Sequence, residues 1–279
     1  MLVVSDYIKQ LVVLRRKAGL TREEFFDYHY QKHGAISTAP TPAETPTKYF
    51  QTHVIDAAYH HDTSNKVPNA HPPWAFSDDI TELYFDSPEH LAQVFKSEWV
   101  SRKVGPDGAN FSDFSAVLPM FVKEENVALP GVGDLTRSSL TPRHSETNAF
   151  VAVYFVAFKD GQAAPADTVS QLAKILETHA SGEVRTLVVN TPVEAGFDLA
   201  AYFGGSRATM PHYQFVFTVT LGGRESVSAV RQAQKDFESR FASQLDLPST
   251  WIAFGERAVV LDQTENIEFD PSRQPFKKL

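Results

Sequence analysis

The stretch TREEFFDYHYQKHGA, Thr21 to Ala35, places His29 and His33 one helical turn apart. Imidazole titrates near neutral pH, so a histidine held in a pocket can take or give a proton. Two histidines at i and i+4 on a helix can also ligate zinc, but the metalloprotease form needs Glu directly after the first His, and Tyr30 stands there. No third ligand follows at a recognised spacing, so no metal is expected. His33 sits near the expected helix end, where the dipole favours imidazolium by ~0.3–1 kcal/mol. There it acts as a general acid or oxyanion binder, or else it caps the last carbonyls.

A third histidine lies in KYFQTHVIDAAYH, Lys48 to His60, which reads as a long strand. Alternation puts Tyr49, Gln51, His53 and Ile55 on one face and Phe50, Thr52, Val54 and Ala58 on the other. The second set is the more apolar and suits a helix layer, which sends His53 to the opposite, inward face. In DDITELYFD, Asp78 to Asp86, Ile80, Glu82 and Tyr84 share a face, and the same logic turns Glu82 inward. A buried carboxylate needs a partner. A His53–Glu82 contact would fix the tautomer and raise the basicity of the imidazole, as a general base requires. The plain alternatives are a hydrogen-bonded core histidine and a structural ion pair. The catalytic candidates are thus His33, His53 and Glu82. Tyr49, Gln51, Trp74, Tyr84 and His29 are candidates for holding a substrate, each equally able to be ordinary packing. Asp107, in PDGANFSDF, reads as a loop-ordering residue, and the pair in YHHD, Tyr59 to Asp62, as a solvated loop. The Gly-rich fragments lack the strand-turn-helix context of a phosphate loop.

The elements that must position these residues follow from local signals. Ile8 to Leu20 is β-branched and apolar before a Gly turn and reads as a strand. Thr21 and Glu24 make a capping box, starting a helix that Gly34 should end. Proline-rich loops flank the Lys48 strand. Ser87 and Pro88 open a second helix, to Lys103, and Phe114 to Glu125 closes the unit as a strand whose Pro119 marks an edge or bulge. The order is β-α-β-β-α-β, the ferredoxin-like pattern. After a linker the order returns: strands at 149–161, 183–190, 211–221 and 249–262, with helices at 164–182 and 224–245. The expected organisation is therefore a first half over 1–127, a linker over 128–148, a second, degenerate half over 149–262 and a polar tail over 263–279.

Composition sets the bounds. Of 279 residues, 42% are hydrophobic and 22% charged, enough to bury a real core in a globular α+β chain. The 21 Phe and 9 Tyr can fill that core or line a pocket for an aromatic ligand. A net charge of −8 without a basic cluster argues against nucleic acid. With no cysteine, disulfides, thiolate nucleophiles and Cys-ligated metals are excluded. No apolar run approaches the ~20 residues of a membrane span and the N-terminus lacks a signal-peptide core, so a cytoplasmic protein is expected. A four-stranded sheet with both helices on one side leaves an apolar face bare. Two such sheets from one chain can cover each other, as a pseudo-dimer that can itself pair further, and the space between them is the expected ligand site.

The blocks LVVLRRKAGLTREEFFDYHYQKHG, KYFQTHVID, DDITELYFDSPEHL and VGPDGANFSDF resemble the EthD family of dimeric α+β barrel proteins from about Leu11 to Val127. The DYHYQKHG version resembles the fungal branch, whose members are associated with aromatic polyketide pathways as small decarboxylase, dehydratase or cyclase-like proteins without cofactors. The resemblance implies an aromatic packing role at the His29 position. The second half departs from it, lacking the HG ending and the Gln-x-His of strand two, which implies a degenerate barrel partner and one working pocket. The expected function is a cofactor-independent lyase or isomerase using histidine acid–base catalysis on a hydrophobic, aromatic or polyketide-like substrate. The alternatives are a non-catalytic carrier of an apolar molecule and a cofactorless or heme monooxygenase.

Overall fold

A computed structural model describes residues 3–4, 7–38, 40–129, 148–160, 162–204 and 210–276, so the expected linker lies almost wholly outside the described residues. The first half runs β1 (Val3–Val4), β2 (Ile8–Leu14), α1 (Arg22–Asp27), β3 (Lys48–Tyr59), β4 (Asp79–Phe85), α2 (Pro88–Lys96), α3 (Gly105–Asp107) and β5 (Leu118–Val127). The second runs β6 (Asn148–Ala157), α4 (Thr168–Ala180), β7 (Val184–Pro192), α5 (Leu199–Tyr202), β8 (Tyr213–Leu221), α6 (Val227–Arg240) and β9 (Trp251–Asp262). Among the described residues no helix is long and apolar enough to cross a membrane.

Strands β2 to β9 form one antiparallel sheet in the order β5-β2-β4-β3-β9-β6-β8-β7, and β7 pairs with β5 to close it into an eight-stranded barrel. Both halves have the ferredoxin-like order of fourth, first, third and second strand. Two ladders between the halves make the closure. The longer joins β3 to β9, from Lys48 opposite Asp262 to Tyr59 opposite Trp251, and the shorter joins β5 to β7. Pro119 pairs with Val12 of β2 where β5 has not yet met β7, so the missing donor faces no neighbour.

The barrel interior is packed. Leu11, Val13, Val54, Val151 and Val153 point inward from both halves, and the Phe155 and Trp251 rings stack with centroids 4.2 Å apart. Trp74 folds in from its loop against Trp251 and Tyr59. The other end is polar. Lys9, 1% exposed, pairs with Glu82, lies 3.1 Å from a Glu124 oxygen and 2.9 Å from Asn190 Oδ1. The chamber expected between the two sheets is therefore occupied by side chains. Burial of one such apolar side chain contributes ~1.5–3 kcal/mol, which a dry void of the same size forfeits.

Helices cover the outside. In the second half α4 and α6 bury Leu172, Leu176, Val230 and Phe237 against the outer faces of β6 to β9. In the first half the Thr21 hydroxyl accepts from Glu24 N at 3.2 Å and the Glu24 carboxylate accepts from Thr21 N at 2.7 Å, as the capping box predicts. After six residues α1 widens into a π-helical turn, Tyr28–Gly34. Gly34 does not end it: Ala35 keeps helical φ −62°, ψ −45°. Gly34 instead presents a bare surface to Phe269 and Val260. The C-terminal segment lies over this turn, with the Tyr30 hydroxyl donating to Asp270 O at 3.1 Å and the Gln31 amide to Pro271 O at 3.0 Å.

Gly255 of β9 faces a register shift in β3 between Val54 and Asp56, and a Cβ there would stand 2.3 Å from the His53 carbonyl oxygen. Gly255→Ala is expected to lower stability by ~1–3 kcal/mol, read from urea denaturation midpoints. A midpoint equal to that of the parent chain contradicts this account of the seam.

Candidate active site

The free space lies on the outer face of the first-half sheet, under its helices. A cavity of about 420 Å³ is floored by Val12 and Leu14 of β2 and by Thr81, Leu83 and Phe85 of β4. Val94, Phe95, Val100 and Val104 form one wall, and His29, His33 and Phe111 the other. Tyr202 and Phe203, at the end of α5, reach it from the second half of the chain. The volume suits a small ligand, and an apolar lining with few polar groups is the usual form of such a site.

The π turn sets the two histidines. Its wider winding brings His29 and His33 to the same side, ring centroids 5.6 Å apart, both against Phe111. His33 Nδ1 is 2.9 Å from Asp107 Oδ2, and the other Asp107 oxygen accepts from the Tyr28 hydroxyl at 2.8 Å and from the Asn110 amide at 3.0 Å. Burial alone would raise the Asp107 carboxyl, but the hydrogen bonds from His33, Tyr28 and Asn110 outweigh it and hold it below its ordinary range. An ionised carboxylate only accepts, so the imidazole proton stays on Nδ1 and Nε2 carries the free lone pair. This is the orienting arrangement of a base held by a carboxylate.

Behind His29 lies a buried polar layer on the outward face of β3 and β4. His53 stands opposite Asp79 across the strands. The Gln51 amide donates to His29 O at 3.0 Å and to the Tyr49 hydroxyl at 2.6 Å, and Tyr49 Oη is 3.3 Å from His29 Nε2. His53 Nε2 is 3.2 Å from Gln51 Oε1, and the ring stacks on Phe26 at 4.2 Å. The Thr81 hydroxyl donates to Asp79 Oδ1 at 2.8 Å. Burial pushes His29 well below its ordinary 6.5, with the His33 and His53 charges adding, and pushes His53 down to about 3. Burial pushes Asp79 well above its ordinary range, partly offset by Thr81, with Asp78 and Glu82 adding repulsion.

The sequence expectation is corrected at several residues. His53 points into the helix layer, and Phe50, Thr52 and Val54 face the barrel interior. Alternation fixes which residues share a face but not which face is inward, and close packing inside the barrel took the apolar set. Glu82 does turn inward. It meets Lys9 and Arg257 there, and they outweigh the burial that would raise its carboxyl and hold it low. His53 and Glu82 are thus on opposite sides of the sheet, and Glu82 has the structural ion pairs of the plain alternative. Trp74 plugs the apolar end of the barrel, and Tyr84 stands inside it, donating to Glu124 at 3.0 Å. Of the residues expected in the site, His29, His33 and Tyr49 line the cavity, with Gln51 and His53 in the layer behind. Asp107 and Asp79 were missed as partners. Asp107 lies far along the chain from His33, and only the neighbourhood of VGPDGANFSDF to the pocket could have signalled it.

Residues 17–115 match the EthD domain, which bears out the resemblance over that span. No curated protein sequence matches the chain. Among solved structures, an anthrone oxidase-like protein superposes with a TM-score of 0.53 over 94% of this chain and 98% of its own, at 10% identity. A chlorite dismutase from Candidatus Nitrospira defluvii aligns over 90% of this chain and 91% of its own, with a TM-score of 0.41 and 10% identity. At such identity the likeness is one of fold, that of the α+β barrel.

The buried layer sets a pH dependence. Each depressed histidine gives stability that is full above about 6.5 and is lost as pH falls toward its folded value, by up to ~1.4 kcal/mol per pH unit. The raised Asp79 gives stability present below about 4 and lost as pH rises toward its folded value. Urea titrations in chelator-containing buffer from about pH 4 to 9 should therefore show a shallower acid limb for His53→Leu and a flatter alkaline limb for Asp79→Asn. Limbs identical to those of the parent protein in both variants contradict the burial of these groups.

Proposed function

We propose that the chain is an enzyme that moves protons on a hydrophobic, aromatic ketone or phenol of polyketide type, with acid and base supplied by its own side chains. The carrying observation is the His33–Asp107 contact of 2.9 Å at the wall of an apolar cavity of about 420 Å³. His33 Nε2 takes a proton from carbon next to a carbonyl, or from a phenol, and returns it elsewhere on the enolate. Asp107 stabilises the imidazolium formed in between. Such a base contributes ~10²–10⁴-fold, and the apolar walls keep water from competing for the proton. Decarboxylation, dehydration, isomerisation and cyclisation share this enolate, so the class is a lyase or isomerase. The Tyr49 phenol, which burial drives far above its ordinary value, stays protonated and can donate a hydrogen bond to an enolate oxygen at the cavity floor.

Three further facts support the reading. The EthD match covers the cavity lining from His29 to Phe114, leaving out only the β2 residues and Tyr202 and Phe203. A fold neighbour is anthrone oxidase-like, and an anthrone is a flat aromatic ketone with acidic carbon-bound hydrogens. In this reading the second half takes the place that a second chain takes in a dimeric barrel, and its Tyr202 and Phe203 complete the one pocket.

The test is deuterium exchange. Anthrone and related aromatic ketones incubated with the protein in D2O should gain deuterium at their acidic carbon, which in anthrone is the ring methylene opposite the carbonyl, faster than in buffer, read by NMR. His33→Ala should lower that rate by ~10²–10⁴-fold and Asp107→Asn by less, with ligand binding retained in both. Binding without exchange in the parent protein points to a carrier and ends the enzymatic reading.

A further inference from the structure

We propose that His29, His53 and Asp79 form a binding site for a first-row divalent transition-metal cation of the zinc or iron(II) type, set in the buried polar layer behind the cavity wall. This goes beyond proton transfer at His33, and neither depends on the other. One ligand atom from each of the three side chains lies within 4.8 Å of the others. All three residues are buried, with exposures of 1%, 0% and 0%. His29 Nδ1, His53 Nδ1 and Asp79 Oδ2 have no hydrogen-bond partner. Buried polar atoms are nearly always paired, and here three side chains from three elements, each with one unpartnered buried atom, converge on one place.

The surrounding hydrogen bonds prepare these atoms as ligands. The Gln51 amide nitrogen is spent on His29 O and Tyr49, so its oxygen is what faces His53 Nε2. His53 Nε2 must then carry the proton, which leaves the Nδ1 lone pair free. Tyr49 Oη lies 3.3 Å from His29 Nε2 and can accept its proton, the tautomer that frees Nδ1, and Thr81 donates to Asp79 Oδ1, leaving Oδ2 without a partner. Support of each ligand's far atom by a fixed group is the usual construction behind metal-bound histidine and carboxylate. Phe26 on His53 and Phe111 on His29 fix the ring planes.

Spacing and chemistry agree. His29 Nδ1 lies 3.6 Å from Asp79 Oδ1, too long for a hydrogen bond, so the Asp79 carboxyl group faces His29 without bonding it. Ligands about 2.0–2.2 Å from one cation stand ~3–4 Å apart. Two imidazoles and one carboxylate suit zinc or iron(II) and leave positions open. A carboxylate and two neutral imidazoles are the forms in which these side chains bind a dication. Local spacing does not announce this site, because the His29–His33 helix pair is the wrong pair: the ligands that join His29 come from β3 and β4.

The experiment uses the full, untagged chain, stripped with chelator and dialysed. Zn²⁺ is titrated by calorimetry and Co²⁺ by its visible ligand-field bands. One equivalent per chain is expected. Asp79→Asn and His53→Leu should weaken binding by more than about 100-fold, and Gln51→Leu, which keeps all three ligands, by about 10–100-fold. His33→Ala should bind as the parent does, so loss of proton transfer and loss of metal binding are read separately. Circular dichroism confirms that each variant is folded. No saturable binding of either ion at micromolar concentration by the parent protein overturns the proposal. So does equal affinity in folded Asp79→Asn, which places the ion elsewhere, such as at His60 and His61.

Discussion

Closure of the sheet is the constraint from which the rest follows. Once β3 pairs with β9 and β5 with β7, each strand has one face in a packed interior and the other under helices. The interior is packed, with the Phe155–Trp251 stack toward one end and the Lys9–Glu82 pair toward the other. The cavity lies instead where helix and sheet meet imperfectly. That place is the first half, where α1 is short, widens into a π turn and is followed by a long loop.

The two halves divide the work by how well they pack. In the second, long regular helices lay apolar stripes on the sheet, with Phe237 and Phe217 fully buried. In the first, the same layer holds histidines, carboxyls and a tyrosine, which pack less densely because their polar atoms need partners at fixed angles. The wider turn costs regular hydrogen bonding, and in return it aligns His29 and His33 over one floor. Such widened turns recur at functional sites. The tail segment across Tyr30 and Gln31 holds that turn from outside.

Two carboxylates in the site serve opposite ends. Asp107 is partly open and hydrogen-bonded from three sides, so it stays ionised and steadies His33. Asp79 is sealed under the helices with the Thr81 hydroxyl on one oxygen, and burial pushes its carboxyl well above the ordinary range. Environment alone separates their behaviour, and the barrier between them is the His29–Phe111 stack.

By itself the sequence determined the element order, the capping box at Thr21, the helix start at Ser87 and the partition of residues into alternating faces, because these rest on local spacing. It also marked His29, His33 and Tyr49 as residues of a pocket. Tertiary structure decided which face looks inward, and with it the fates of His53, Glu82, Trp74 and Tyr84: a two-residue period is the same seen from either side of a sheet. Only the folded chain could bring Asp107 to His33 and Asp79 to His29, since carboxylates distant along the chain have no spacing to announce them. The packed barrel was hidden for the same reason, because whether two sheets enclose a void depends on how side chains from both halves interlock.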